Sequence, residues 1–213
     1  MNIQDLVIFK DPFIIALNKP SGIAVHKGPS NRECLEDYFD KLCYDLPRPP
    51  ALAHRLDADT SGILVLGRHG KALKRLGEFF RNKRIEKTYL AIVEKTPEHP
   101  EGTIDLPIFK KNSKTKGWRI VIDKNFGQPS ISHYKVLKTL EGGKALLELK
   151  PETGRTHQLR VHCQAMGWPI VGDSLYGTNS QHPADLLDSN KNQNNNKIEN
   201  KPKLDNNRPK LLL

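Results

Sequence analysis

Hydrophobic residues occur along this chain in short segments that are separated by Gly, Pro and charged residues. The pattern predicts short strands on both sides of a turn at Asn18–Gly22, and further strands at Ile63–Leu66, Lys87–Val93, Trp118–Ile122, Ser130–Leu137 and Lys144–Lys150. Strands and helices do not alternate regularly. This favours an α+β fold, with a mixed, mostly antiparallel sheet and flanking helices, over a parallel doubly wound one.

Two helices are predicted in the first half of the chain. In the first, Ser30 and Glu33 have the spacing of a capping box. The apolar residues Leu35, Tyr38 and Leu42 then repeat at helical intervals, and the helix is ended by prolines at 47, 49 and 50. In the second, one face is apolar and the other basic: Leu73, Leu76 and Phe80 against Lys71, Lys74 and Arg75. A basic helix face is usually only solvated, and contact with RNA is its alternative role.

A third helix is predicted at Thr156–Met166, because Gly154 supplies a turn before it and Gly167 with Pro169 supplies a stop signal. One stripe of this helix is apolar and another is polar: Leu159, Cys163 and Met166 against His157, Arg160 and Gln164. A cation near the start of a helix opposes the helix dipole. We therefore expect Arg160 to have an acidic partner, and Asp57 is the best candidate.

Charge indicates the kind of partner. The formal net charge is +10, and residues 1–177 contain 28 Lys and Arg against 20 Asp and Glu, so the excess belongs to the part expected to fold. This favours a polyanionic partner such as nucleic acid, although a merely basic protein without such a partner remains an alternative. The Asn- and Lys-rich segment Ser189–Asn207 has almost nothing to bury and is predicted to be disordered.

Other classes of protein are disfavoured. Three cysteines at irregular spacing argue against a disulfide framework or a zinc site, and His54, His157 and His162 have no metal-like spacing. The first residues do not resemble a signal peptide, and no apolar run is long enough to span a membrane. We expect a cytoplasmic protein without a bound metal.

Two segments contain the residues best suited to chemistry, AHRLDADTSGILVL (residues 53–66) and TGRTHQLRVH (residues 153–162). A single Asp in a turn before a strand is usually structural, and Tyr89 in its alternating strand would by default belong to the core. Together with NKPSGIAVH (residues 18–26) and KTYLAIV (residues 87–93), however, the segments resemble the RluA family of RNA pseudouridine synthases. The resemblance covers roughly residues 7–177 and is closest to the branch that acts on large-subunit ribosomal RNA.

The resemblance implies a role for each matching residue. Asp57 matches the catalytic aspartate, which acts at the ribose C1′ or at the uracil ring, while Asp59 falls on a variable position. Arg160 matches the arginine that pairs with this aspartate, and Tyr89 matches the tyrosine that stacks on the target base. Arg55 matches the arginine that fills the gap left when the uridine is flipped out. Further RNA-binding residues are expected beside these motifs: His54, Thr60, Arg155 and His157.

The same resemblance implies a pseudouridine synthase fold for residues 1–177, an enzyme that acts as a monomer on RNA, and no cofactor, since the carboxylate itself performs the covalent or ion-stabilising step. Residues 178–209 are expected to be a low-complexity insertion and residues 210–213 the start of a truncated strand. A chain without that closing strand is expected to have low thermal stability and weak activity, and the absence of an S4 domain favours a transfer RNA target somewhat. Trp168 replaces a histidine that relatives usually carry, at a position that we take to be structural.

Three alternatives to the ribosomal RNA enzyme follow from the sequence. The first is the same activity on transfer RNA. The second is a non-catalytic RNA-binding or ribosome-assembly protein, against which the Asp57, Tyr89 and Arg160 set argues because binding alone does not require the acid. The third is a hydrolase that uses Asp57 with His157, but the sequence has no oxyanion or metal signature for it.

Overall fold

The structure is a computed structural model, and it describes residues 1–28, 33–113 and 117–178. The chain divides into two units between Tyr89 and Leu90. The predictions for Ser30, for Ser189–Asn207 and for residues 210–213 lie outside the described residues.

The first unit is built on a four-stranded antiparallel sheet with the order β1-β2-β4-β3. Its strands are β1 (Val7–Lys10), β2 (Ile14–Lys19), β3 (Ala51–Leu52) and β4 (Gly62–Gly67). The central strands β2 and β4 place Ile15 opposite Leu66 and Leu17 opposite Leu64, and all four side chains are fully buried. The prediction of a strand after the Asn18–Gly22 turn is wrong for the described residues. There, Ala24 forms only an isolated bridge with Cys34.

Two helices described in the first unit lie close to their predicted positions, and a third, at its start, was not predicted. Short 3₁₀ helices run from Ile3 to Leu6 and from Leu35 to Leu42, and the α-helix α1 covers Gly70–Arg81. The second 3₁₀ helix starts where the Cys34 N–H donates to the Asp37 carboxylate over 3.1 Å. It ends before the predicted prolines, because Tyr44 takes a left-handed conformation with φ of 50°.

The second unit contains a four-stranded antiparallel sheet with the order β5-β10-β9-β6 and a separate hairpin, β7-β8. The strands are β5 (Tyr89–Val93), β6 (Glu101–Asp105), β7 (Ile108–Ser113), β8 (Gly117–Ile122), β9 (Ile131–Thr139) and β10 (Ala145–Pro151). A short 3₁₀ turn at Glu141–Gly143 joins the last two. The mostly antiparallel α+β prediction is confirmed, and each of the five strands predicted after the first turn is present within one or two residues of its expected limits.

The last helix, α2, covers Gln158–Ala165. It starts later than predicted, because His157 has a left-handed φ of 54° and cannot belong to the helix. Every residue from Gln158 to Gln164 is buried, so the polar residues of this helix must find partners inside the protein. Val161 packs in a core cluster with Ile108, Ile120, Ile122 and Tyr176. Trp168 is buried against Tyr134, with ring centroids 5.0 Å apart, as expected for a structural residue.

Among the helices of the described residues, none has both the length and the apolar character that crossing a bilayer requires.

Candidate active site

The Asp57 loop of the first unit, residues 53–61, leads directly into β4 and is held mainly through its backbone. The Thr60 N–H donates to the Asp57 carbonyl at 3.1 Å, and the Gly22 N–H donates to the Ala58 carbonyl at 2.8 Å. The Ser21 hydroxyl donates to the Asp59 carbonyl at 2.7 Å. Three successive carbonyls are therefore bonded, which fixes the loop while the Asp57 side chain remains half-buried.

Lys19 lies fully buried at the end of β2 and contacts the same loop. Its ammonium donates to the carbonyls of Pro20 at 2.8 Å and Ala58 at 3.0 Å. Burial lowers the pKa of Lys19 to about 8, although the negative charges of Asp59 and Asp57 act in the opposite direction. The loop thus contains two acids and lies against one buried cation. The sequence predicted Lys19 only as a turn residue.

Tyr89 is close enough to Asp57 to be influenced by its charge. Burial raises the pKa of the Tyr89 phenol, and the negative charge of Asp57 raises it further. Since both residues belong to the first unit, the structure brings together two of the three residues predicted to be catalytic. The phenol remains protonated at neutral pH, and its ring is a neutral aromatic surface beside a carboxylate.

His54, Arg55 and Thr60 were predicted to bind RNA, and the structure places them differently. The His54 Nε2 accepts the Val65 N–H at 3.0 Å and its ring packs on Phe80 at 5.0 Å, so burial lowers its pKa and the ring stays neutral. The Thr60 side chain is buried. Only Arg55 is exposed. RNA binding by these residues stays a prediction, with Arg55 the best placed.

Arg160 of α2, in the second unit, forms a buried ion pair with Asp173. The side chains are 3% and 0% exposed, and the guanidinium donates from Nε to Oδ2 at 2.7 Å and from Nη2 to Oδ1 at 2.9 Å. Asp173 Oδ1 also accepts the N–H groups of Leu175 and Tyr176 at 2.9 Å. Burial alone would raise the pKa of Asp173, but Arg160 and these N–H groups lower it below its ordinary value.

Tyr176 connects this ion pair to His157. Its ring lies 5.3 Å from the Arg160 guanidinium carbon, and its hydroxyl accepts the Ile120 N–H at 3.2 Å. The same hydroxyl lies 2.9 Å from His157 Nδ1 and can donate its proton there. The His157 ring also packs on Trp118, with centroids 5.3 Å apart. Arg160 and His157 are therefore oriented by one set of side chains.

Sequence reasoning missed Asp173 and Tyr176, although both belong to GDSLYG (residues 172–177), which it identified only as a turn. A buried arginine needs an acid, and an acid three residues before a tyrosine in a glycine-bounded turn was the available signal. The predicted pairing of Arg160 with Asp57 stays a prediction, because the two residues belong to different units. Arg155 is exposed, and its N–H donates to the Gln158 side chain at 3.1 Å.

No group of three or more His, Cys, Asp or Glu side chains in the described part of the chain is arranged to hold a metal ion. The candidate site of the first unit consists of two carboxylates, one buried cation and an aromatic ring: Asp57, Asp59, Lys19 and Tyr89. Such an arrangement can position an aspartate for nucleophilic attack and present a flat ring to a planar substrate.

Comparison with known proteins identifies the class. Residues 13–165 match the model of the RNA pseudouridylate synthase family. An uncharacterized RNA pseudouridine synthase of Zymomonas mobilis is 44% identical over 173 residues, which cover 81% of this chain and 78% of the relative. The ribosomal large subunit pseudouridine synthase C of Buchnera aphidicola is 39% identical over 179 residues, which cover 84% of this chain and 56% of the relative.

The fold agrees with this class. The structure of human RNA pseudouridylate synthase domain containing 4 superposes with a TM-score of 0.69 at 30% identity, over 82% of this chain and 69% of that one. The chain belongs to the RNA pseudouridine synthases, which are isomerases, and within them to the RluA family. It spans about half the length of several curated relatives that it matches.

Proposed function

We propose that this chain converts specific uridines of large-subunit ribosomal RNA to pseudouridine, with Asp57 as the nucleophile. The observation that carries this proposal is the proximity of Asp57 and Tyr89 within one unit, where burial and, to a smaller extent, the Asp57 charge raise the pKa of the Tyr89 phenol. A nucleophile beside a neutral aromatic ring is what an enzyme needs to hold a uracil and act on it.

The reaction exchanges one glycosidic bond for another. The bond from the ribose C1′ to N1 of uracil breaks, the base rotates, and a bond from C1′ to C5 forms. The proton on C5 is lost, and N1 ends with a proton. Asp57 assists by bonding to C1′ or to the uracil ring, and the three bonded carbonyls of its loop keep the carboxylate in place for either step.

Base extrusion is assigned to Arg55. Its side chain is exposed, and the preceding His54 is fixed by the Val65 N–H and by Phe80. A guanidinium extended from such a fixed point can fill the gap left by a flipped nucleotide. Extrusion costs a few kcal/mol of stacking, which stacking on Tyr89 and the Arg55 contact would offset.

Ribosomal RNA is proposed as the target because the Buchnera relative, at 39% identity, is named as a large-subunit enzyme. Transfer RNA is the competing target. A non-catalytic RNA-binding role is the competing function. One measurement, the mapping of pseudouridines in total RNA, distinguishes both alternatives from the proposal.

The test is pseudouridine mapping of total RNA from cells with and without the gene. One or more sites in large-subunit ribosomal RNA should disappear without the gene and return when wild-type protein is supplied. Asp57→Asn should not restore them, whereas the matched variant Asp59→Asn, altered two residues away in the same loop, should. Purified Asp57→Asn should still bind the RNA within a few-fold of wild type.

Three results would contradict the proposal. If pseudouridines disappear only from transfer RNA, the target is transfer RNA. If no pseudouridine disappears, the non-catalytic role is favoured. Restoration by Asp57→Asn would exclude this acid as the nucleophile.

A further inference from the structure

The positive charge of the chain is concentrated around α1. Residues 68–87 contain eight of the chain's 34 Lys and Arg but two of its 24 Asp and Glu. Six of those eight side chains are exposed: Lys71, Lys74, Arg75, Arg81, Lys83 and Arg84. The proposed chemistry at Asp57 uses none of them, so this surface needs a separate explanation.

Several of these cations line one open cleft of about 430 Å³, together with an aromatic ring and one acid: Lys71, Lys74, Arg75, Glu78, Phe79 and Arg84. The five helical members recur at three- and four-residue intervals and therefore share one face of α1. Arg84 joins them because Lys83 takes a left-handed φ of 53° and the Arg84 N–H returns to the Phe79 carbonyl at 2.8 Å.

These cations are not neutralised within the described part of the protein. None of Lys71, Lys74, Arg75 and Arg84 forms an ion pair with a described residue, although Arg75 lies 5.5 Å from the centre of the Phe79 ring. Arg68, just before α1, is buried and paired with Asp45. Lys71 also lies in the first turn of a helix without an acid there, where a cation opposes the helix dipole. The fold itself gains little from these charges.

The helix α1, which carries the cleft, lies next to the Asp57 loop. That loop enters β4 at Gly62, and α1 follows β4 after a two-residue connection and packs against it. Phe80, near the end of α1, contacts His54 at the beginning of the loop. The twelve residues of α1 extend for about 18 Å, so the basic face of this helix is about 18 Å long.

We propose that this cleft binds the phosphate backbone of the substrate RNA next to the target uridine. The inference rests on the proposed function and adds to it the surface that holds the strand. Several successive phosphates fit along 18 Å of helix, and the Arg75–Phe79 pair supplies a flat surface for a sugar or base. An extended anion with planar groups matches this surface better than a lipid headgroup does.

The test compares two triple variants with equal loss of charge. Lys71→Gln/Lys74→Gln/Arg75→Gln removes the cleft cations and keeps good helix formers. Lys124→Gln/Lys135→Gln/Lys138→Gln removes three exposed lysines of the second unit. Affinity for the RNA fragment that contains the mapped uridine is measured from about 0.05 to 0.3 M salt. For the cleft variant the slope of log Kd against log salt should fall by about two to three, and affinity at low salt by on the order of tenfold or more.

The control triple should keep a slope close to wild type, and its turnover should stay within about twofold of wild type. Lys74→Gln alone, with a slope change of about one, covers the case in which the triple variant misfolds. A cleft variant that binds like wild type would overturn the proposal. The proposal would also be overturned if wild type bound phosphatidylserine–phosphatidylcholine vesicles, and the cleft variant lost this binding while it kept its affinity for RNA. If the wild-type protein forms no pseudouridine, the proposed function is overturned. If the cleft variant nevertheless binds RNA more weakly than wild type, the cleft is still supported as an RNA-binding surface.

Discussion

Lys19 and Arg160 are both buried cations, but the two units accommodate them differently. In the first unit, the Lys19 ammonium meets two backbone carbonyls, and the acids Asp57 and Asp59 act on it only through their charge. In the second, the Arg160 guanidinium meets the Asp173 carboxylate through two hydrogen bonds. The difference is visible in the pKa values, because burial lowers that of Lys19 to about 8 while Arg160 lowers that of Asp173 below its ordinary value.

This comparison shows how each site gains its rigidity. The Asp57 loop needs its carboxylate available for chemistry, so the buried cation beneath it is bonded to carbonyls instead. Arg160 is held by an acid that has no other assigned role. Removing a partner should therefore be much more harmful in the second unit than in the first.

The largest expected effect is that of Asp173→Asn. The change removes the carboxylate that accepts two hydrogen bonds from the buried Arg160 guanidinium, which should lower the free energy of unfolding by about 3–5 kcal/mol. Chemical denaturation of the purified protein measures it. Glu148→Gln, which breaks the partly exposed pair with Lys150, is the control and should lose no more than about 1 kcal/mol. Equal losses would mean that Arg160 does not depend on Asp173.

A smaller loss is expected for Lys19→Met. The Pro20 and Ala58 carbonyls lose a donor, at about 1–3 kcal/mol, but no buried charge is left behind. Lys71→Met, at an exposed lysine of the same unit, should change stability by less than about 0.5 kcal/mol. If Lys19→Met proved as damaging as Asp173→Asn, the contrast between the two units would be wrong.

The smallest effect is the part of the pH dependence that Lys19 contributes. Between its folded pKa of about 8 and its ordinary value of 10.5, the unfolded chain holds a proton that the folded chain has released. Stability should therefore rise with pH in this window, by about 1 kcal/mol from pH 8 to 9, and be independent of Lys19 below it. Denaturation curves of wild type and Lys19→Met give the difference, in which Lys87 and other titrating groups cancel. A difference that does not change with pH would exclude an ordinary folded-state pKa shift at Lys19.

The parts of the fold predicted from sequence were those where one local pattern decides the outcome. The α1 helix was predicted because Leu73, Leu76 and Phe80 recur at helical intervals, and β10 because its hydrophobic residues lie between Gly143 and Pro151. The strand β6 was missed, since Glu101–Asp105 is mostly polar and exposed and is defined by its pairing with β9. The early start predicted for α2 failed at His157, whose left-handed backbone depends on contacts with Tyr176 and Trp118.

The site was predictable to a similar extent. Asp57 and Tyr89 could be named from their motifs, and the need of Arg160 for an acid followed from its place in a helix. Asp173 could not be identified in that way, because its contact with Arg160 depends on how the chain turns back after α2. Lys19 was missed for a related reason: its position in a turn predicts exposure, whereas the folded loop covers it.

The order of Arg160 and its partners along the chain also has a consequence for synthesis. Asp173 follows Arg160 by 13 residues, so α2 leaves the ribosome before the acid that neutralises it. At about 5–20 residues per second, the interval is roughly one to three seconds. During that time α2 lacks the carboxylate that accepts two hydrogen bonds from the buried Arg160, so Val161 cannot yet take its native place in the core of the second unit. The turn at residues 172–177 therefore acts as the last step that allows this unit to close during translation.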